Sequence, residues 1–257
     1  MKTYKAYAKV NIFLKITGTR GDYHEIISRF MRVESLYDEL SFVKKNTKEF
    51  QILGNFSCET KDNTIYKGYK ALLKATNSTK LITFMENYAL KVDKSIPAFA
   101  GLGGGSSDCA TYLKMCNEVL ELGLSVEQLA KIGLEVGADV PFFIYDYNSA
   151  NVSGIGEVVE EFKEELLNFK VTTPNIKIST PKVYTTYRKD FFSPITQNEA
   201  EKLKMMSSLE VLNSYKIDEV NDLYKPALKE YSNLKQEYQD GWFFSGSGSS
   251  FFTLTEV

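Results

Sequence analysis

The run Pro97-Ala-Phe-Ala-Gly101-Leu-Gly103-Gly104-Gly105-Ser106-Ser107-Asp108 constrains this chain more than any other stretch. Four of the five residues from Gly101 to Gly105 are glycine. A helical apolar pattern at Cys109, Ala110, Leu113, Cys116, Val119 and Leu120 begins directly after them. Without Cβ atoms, successive backbone N–H groups turn inward and approach an anion closely. The helix that follows adds unpaired N–H groups and the positive end of its dipole. The combination predicts a cradle for a polyphosphate. The same residues also fit a flexible loop in which Ser106 or Ser107 merely caps the helix. The run is not a Walker A loop, which needs a lysine after its last glycine, and it lacks the G-x-G-x-x-G spacing of dinucleotide sites.

Elsewhere, Ala6, Ala8, Val10, Ile12, Leu14 and Ile16 alternate, which predicts a strand with one buried face. Lys9, Asn11, Phe13 and Lys15 fall on the other face, which by pattern alone is solvated. Further strands are predicted around Arg29–Tyr37, Asp38–Val43 and Phe50–Leu53, and a helix over Asn63–Thr76. Leu81–Val92 carries strand-like apolar positions. Ser125 and Gln128 have capping-box spacing for a helix closed by Gly137. Glu199–Tyr238 reads as helical with a break at Pro226, and Gly241–Thr255 as a glycine turn between two strands. This patterning gives an α+β class. A boundary near residues 145–150 separates an N-terminal lobe, 1–148, from a C-terminal α+β lobe, 149–257.

The glycine run resembles the central motif of the GHMP kinases, the superfamily of galactokinase, homoserine kinase and mevalonate kinase. Other segments agree in order and spacing: Ala8-Lys-Val-Asn-Ile-Phe-Leu, Tyr23-His24, Asp62-Asn-Thr-Ile, Gly137-Ala-Asp-Val-Pro, Thr180-Pro-Lys-Val-Tyr, Asn221-Asp-Leu and Ser245-Gly-Ser-Gly. The resemblance implies a two-lobed α+β fold with the active site in the interlobe cleft, and ATP-dependent phosphorylation of a small alcohol with Mg²⁺. The form is nearest to the branch whose acceptor is a cytidine-diphosphate alcohol. The alternatives are a homoserine- or mevalonate-type kinase and a ligand sensor of the same fold without turnover.

By that resemblance Asp139 is the base for the attacking hydroxyl, and Lys9 orients it and stabilises developing charge. Nucleotide contacts fall to Asn63, Lys94, Pro97, Gly101, Leu102, Gly103, Gly104, Gly105, Ser106 and Ser107. Lys94 read alone is equally a solvated surface lysine. The acceptor falls to Asn11, Tyr23, His24, Phe30, Thr180 and Tyr184. Tyr23 and Tyr184 stack on the cytosine there, and His24 reads its edge. No metal-ligating residues are assigned. The turn Arg20-Gly-Asp-Tyr-His24 is one residue shorter than the branch pattern, which leaves the reach of His24 open. Chain end Val257 follows soon after the Ser245 turn, so an altered edge of the C-terminal lobe is expected.

Composition narrows the partners. His24 is the only histidine, which removes His-dependent triads and His-based zinc sites. Net charge is −2 over 257 residues, so no general attraction to nucleic acid is expected. No apolar run reaches the ~20 residues of a membrane helix. The N-terminus has no apolar signal region, and Cys58, Cys109 and Cys116 lack metal spacing. A cytoplasmic setting is expected, with Cys109 and Cys116 in the core; the sequence assigns no oligomeric state.

Overall fold

The computed structural model describes residues 2–255. The expected change of edge at Val257 lies outside the described residues. The chain forms two compact units that are interleaved in sequence. One comprises Met1–Ala8, Leu36–Ile96 and Gly104–Asp146; the other comprises Lys9–Ser35, Pro97–Gly103 and Tyr147–Val257. Strands β1 (Tyr4–Arg20) and β2 (Tyr23–Lys44) each pass from one unit into the other.

In the first unit the end of β2 pairs antiparallel with β4 (Tyr88–Asp93), with Leu40 opposite Val92 and Phe42 opposite Leu90. The short β3 (Ile52–Leu53) adds parallel to β4. Helices α1 (Thr64–Thr76) and α2 (Thr79–Asn87) precede β4 in sequence. After it come α3 (Gly104–Val119), α4 (Val126–Leu134) and α5 (Val140–Tyr145). Cys109 and Cys116 are buried on α3.

The Leu81–Val92 segment divides into helix and strand. Ser78 caps α2 by accepting from the Leu81 N–H, and Leu81 and Met85, four apart, are its buried face. Only from Tyr88 does the chain alternate as a strand. The apolar run after Asp139 is helical as well, with Pro141 in its first turn. The capping box at Ser125 and Gln128 forms as its spacing predicts, although α4 closes at Leu134, before Gly137.

In the second unit β2 pairs antiparallel with β5 (Ser149–Gly154), which pairs in turn with β6 (Val158–Glu161). A separate three-stranded sheet joins β7 (Phe169–Thr172), β8 (Phe243–Phe244) and β9 (Phe251–Leu254), the last two forming the predicted pair around the glycine turn. Six short helices fill the interval: α6 (Thr180–Thr186), α7 (Gln197–Met205), α8 (Ser208–Ser214), α9 (Ile217–Val220), α10 (Tyr224–Glu230) and α11 (Leu234–Glu237). Pro226 does not break α10. It lies in the first turn, where a missing N–H costs no helical bond.

The pattern of β1 fails in an informative way. Lys9, Asn11 and Phe13 are as buried as Ala8, Val10 and Ile12. Both faces of this strand are covered, so alternation marks two kinds of interior rather than inside and outside.

Candidate active site

Within the second unit, β1 puts Lys9 and Asn11 side by side on one face. The Lys9 ammonium donates to Asn11 Oδ1 at 2.6 Å and to the Gly101 carbonyl at 3.1 Å, and it lies 4.4 Å from the centre of the Phe30 ring. Asn11 Nδ2 donates to Ser28 Oγ at 2.9 Å. A buried ammonium is tolerated only where acceptors and a ring face replace its water, and these groups supply both. Phe30 therefore serves Lys9, a packing role that the sequence did not indicate.

The loop Pro97–Gly103 is fixed from two sides. The Lys9 N–H donates to the Leu102 carbonyl at 3.0 Å, and the Ser250 N–H donates to the Ala100 carbonyl at 3.1 Å. Ser245 Oγ donates to the Gly101 carbonyl at 2.9 Å. Gly101 has φ +76°, and a Cβ there would stand 2.0 Å from the Ser245 carbonyl oxygen. Only glycine permits both the dihedral and the approach. Asn221 braces the opposing turn, its Nδ2 donating to the carbonyls of Phe244 at 2.8 Å and Gly246 at 3.0 Å. Leu102 is buried and Pro97 exposed.

A second cluster surrounds His24. Its ring centre lies 5.1 Å from that of Tyr184 and 5.7 Å from that of Tyr187. His24 is buried, and its Nε2 has no hydrogen-bond partner. Burial lowers its pKa and the Arg188 charge lowers it further, so the imidazole is neutral at pH 7. The shortened turn is a two-residue connection, Gly21 (φ +61°) and Asp22, whose carbonyls accept from Arg188 Nη2. Strand alternation sends Tyr23 to the face opposite His24, where it is 65% exposed. The structure thus joins His24 to Tyr184 and leaves Tyr23 on the surface. Thr180 is exposed and shares a 2.7 Å hydrogen bond with Ser247.

In the first unit α3 begins at Gly104, so Gly105, Ser106 and Ser107 occupy its first turn rather than a cap. Gly105 is exposed, Ser106 half-buried and Ser107 buried. Thr64 Oγ1 donates to the Gly105 carbonyl at 2.6 Å, which ties the start of α1 to the start of α3. Asn63 is the N-cap of α1, its Oδ1 accepting from the Ile65 N–H at 2.9 Å. Gly103 has φ +72°, and a Cβ on Gly104 would meet Ile96 Cγ2 at 2.8 Å.

Lys94 is not a solvated lysine. Its ammonium donates to Asp38 Oδ2 and, at 2.7 Å, to Asp108 Oδ2. Both aspartates are buried. Asp38, Asp108, Ser245 and Asn221 were not among the site residues assigned from sequence. Asp108 closed the glycine motif, and Asn221 and Ser245 lay in segments that match the family; Asp38 had no such signal. Asp139 stands at the N-terminal boundary of α5, half-buried, and its side chain does not cap that helix.

The family model for the GHMP kinases N terminal domain matches residues 63–147. The chain is 62% identical to the 4-diphosphocytidyl-2-C-methyl-D-erythritol kinase of Sulfurimonas denitrificans, across 100% of this chain and 98% of that one. Identity to the enzyme of the same name from Campylobacter jejuni is 43%, across 97% and 99%. A crystal structure of 4-(cytidine 5'-diphospho)-2C-methyl-D-erythritol kinase superposes with a TM-score of 0.75 at 27% identity, covering 99% of this chain and 90% of that one. The mevalonate kinase of Methanococcus jannaschii, at TM-score 0.58 and 16% identity over 99% of this chain and 90% of its own, shares the fold alone. Identity of this degree along the whole length leaves one conclusion: the chain belongs to the 4-diphosphocytidyl-2-C-methyl-D-erythritol kinase family of the GHMP kinases.

Proposed function

We propose that this chain transfers the γ-phosphoryl group of ATP to the 2-hydroxyl of 4-diphosphocytidyl-2-C-methyl-D-erythritol, in the cytoplasm and on the non-mevalonate route to isoprenoid precursors. The observation that carries the choice of acceptor is buried His24 beside half-buried Tyr184, their ring centres 5.1 Å apart, with His24 Nε2 unpartnered. A neutral imidazole presents one N–H donor and one acceptor nitrogen, which suits a cytosine edge, while an adjacent phenol ring offers a stacking face.

Phosphoryl transfer asks the protein mainly for alignment and charge compensation. In this reading the backbone N–H groups from Gly103 to Ser107 hold the nucleotide phosphates, with Asn63 and Lys94 as further contacts. The acceptor O–H bond breaks as its oxygen bonds the γ-phosphorus and ADP leaves. Asp139 receives the proton. A carboxylate is a weak base toward an alcohol, so the proton moves late and alignment dominates. Lys9 supplies fixed positive charge for the charge that develops.

Mg²⁺ suits a donor set of this kind. Among the described residues no group of three His, Cys, Asp or Glu side chains is placed to hold a metal. A half-buried hydroxyl at Ser106 and phosphate oxygens are hard donors that match an ion which retains most of its water. When bound it supplies charge neutralisation on the phosphate oxygens.

The test is ATP consumption by the purified chain with three candidate alcohols. Turnover with the cytidyl alcohol alone is expected. Turnover with homoserine or mevalonate instead overturns the acceptor, and binding without turnover of any of them makes the chain a ligand sensor.

A further inference from the structure

The chain has four arginines, Arg20, Arg29, Arg32 and Arg188. Three of them are neutralised. Arg20 pairs with Glu25 at 3.0 Å and Glu157 at 2.7 Å, Arg29 with Glu164 at 3.3 Å, and Arg32 with Glu34 at 3.0 Å. Arg188 differs: among the described residues it has no carboxylate partner. It is exposed, on the helical turn Tyr187–Phe191 that continues α6. Its hydrogen bonds to the protein both run from Nη2, to the carbonyls of Gly21 at 3.4 Å and Asp22 at 3.1 Å. A guanidinium carries five N–H donors in a planar fork, so Nη1 and Nε are left for other acceptors.

This charge borders the base pocket. Gly21 and Asp22 lead directly into Tyr23 and His24, so the guanidinium is tied to the start of the strand that carries His24. Tyr184 lies four residues before Arg188, about one helical turn, which brings two side chains to about 6 Å at Cβ. The Arg188 charge is near enough to act on the His24 ring. A phenol, an imidazole and an uncompensated guanidinium thus meet within the second unit. Carboxylates close by are turned to other partners: Asp190 holds Lys229 at 3.0 Å and Glu230 holds Lys182 at 2.8 Å. The Asp22 side chain forms no ion pair with Arg188, although its carbonyl accepts from it.

We propose that Arg188 binds the diphosphate of the acceptor, so that the site selects a cytidine diphosphate by charge as well as by base. The inference rests on the reading that cytosine occupies the pocket of His24 and Tyr184. A nucleoside diphosphate carries its anion one sugar away from its ring, and a guanidinium takes two phosphate oxygens at once through parallel N–H···O bonds. The diphosphate takes no part in transfer to the 2-hydroxyl. Its contact is therefore equal in the bound and the reacting acceptor and acts on binding rather than on kcat. Arg188 is a specificity residue.

Calorimetric titration of the full chain with CDP and with cytidine tests this. The wild type should prefer CDP by at least about tenfold, the lower end for a charge-assisted hydrogen bond because Arg188 is exposed. Arg188→Met should remove about tenfold of CDP affinity and leave cytidine within about twofold. Arg188→Lys keeps the charge without the fork and should retain only part of the preference. Lys189→Met, at the neighbouring exposed lysine, should leave both affinities as they are. In steady-state kinetics Arg188→Met should raise the acceptor KM at near-constant kcat. Equal losses of CDP and cytidine in Arg188→Met would mean that the guanidinium only clasps the Gly21-Asp22 turn, which overturns the proposal. An equal loss of CDP in Lys189→Met overturns it too, since the diphosphate would then sense only general charge. If Arg188→Met fails to fold, Arg188→Lys decides alone, and a full wild-type preference for CDP in it is the overturning result. If the wild type binds neither cytidine nor CDP, the pocket reading itself fails, and this inference with it.

Discussion

The Lys9 ammonium and Asn11 Oδ1 meet at 2.6 Å inside the protein, two residues apart on one face of β1. Asn11 in turn is held by Ser28, so the lysine is fixed in direction as well as in place. Lys9→Met removes a buried charge along with its need for partners, a change that cores often tolerate. The fold should survive while kcat falls by roughly 10²- to 10⁴-fold. Asn11→Ala leaves the charge with a lost acceptor and should cost about 1–3 kcal/mol of stability. Urea denaturation beside steady-state kinetics separates the two outcomes.

Gly101 and Gly105 are expected to fail differently. Gly101→Ala sets a Cβ 2.0 Å from the Ser245 carbonyl at φ +76°, so the loop must shift and the melting temperature should drop by several degrees. Gly105→Ala meets only the Thr64 side chain, Oγ1 at 3.3 Å and Cγ2 at 3.7 Å, on an exposed turn. That variant should fold normally and bind the ATP analogue weakly, because the added methyl fills the cradle. Wild-type nucleotide affinity in Gly105→Ala would remove the phosphates from this site.

Asp139→Asn keeps the size and shape of the side chain and should retain the fold and both substrates. Its kcat should fall by roughly 10²- to 10⁴-fold. Turnover near wild type would mean that positioning alone suffices and that Asp139 is not the base.

CDP should compete with the alcohol substrate and not with ATP. Tyr184→Ala should weaken CDP by roughly ten- to a hundredfold, the worth of one stacked base. His24→Ala should erode the preference for cytosine over uracil more than it lowers affinity. Burial and the Arg188 charge lower the His24 pKa, so the neutral ring persists at pH 7 and CDP affinity should decline only under acid conditions. Competition between CDP and ATP alone would overturn this pocket.

Asp108 also predicts how stability depends on pH. Its pKa rises from the ordinary 3.8 to about 7 on folding, so between those values the folded chain binds more protons than the unfolded one. The contribution is present in full below pH ~4 and is lost as pH rises through about 7. Asp108→Asn should therefore gain on the wild type in urea midpoint between pH 5 and pH 8. An unchanged difference would mean that Asp108 is ionised throughout.

Local signals in the sequence were read well where the physics is local. Glycines without Cβ atoms, the Ser125–Gln128 box and the glycine turn before Phe251 each specify a backbone geometry within a few residues. Long-range partners were not legible. Alternation along β1 assigned Lys9 and Asn11 to a wet face because the pattern records apolarity, not coverage. Leu81–Asn87 looked strand-like because a short apolar run fits both periods, and the Ser78 cap decides it.

The sequence by itself determined the glycine run that opens α3, the α+β class and the family, since motif order and spacing are properties of the chain. Tertiary structure alone decided that β1 and β2 are shared by two interleaved units. It placed Ser245 behind Gly101, 144 residues away, and Asp38 beside Lys94, 56 residues away. It also divided the Tyr-His pair, burying His24 against Tyr184 and leaving Tyr23 exposed. The reason is one of energy. A buried ammonium or carboxylate must find compensation wherever the fold supplies it, and no local periodicity records where that is.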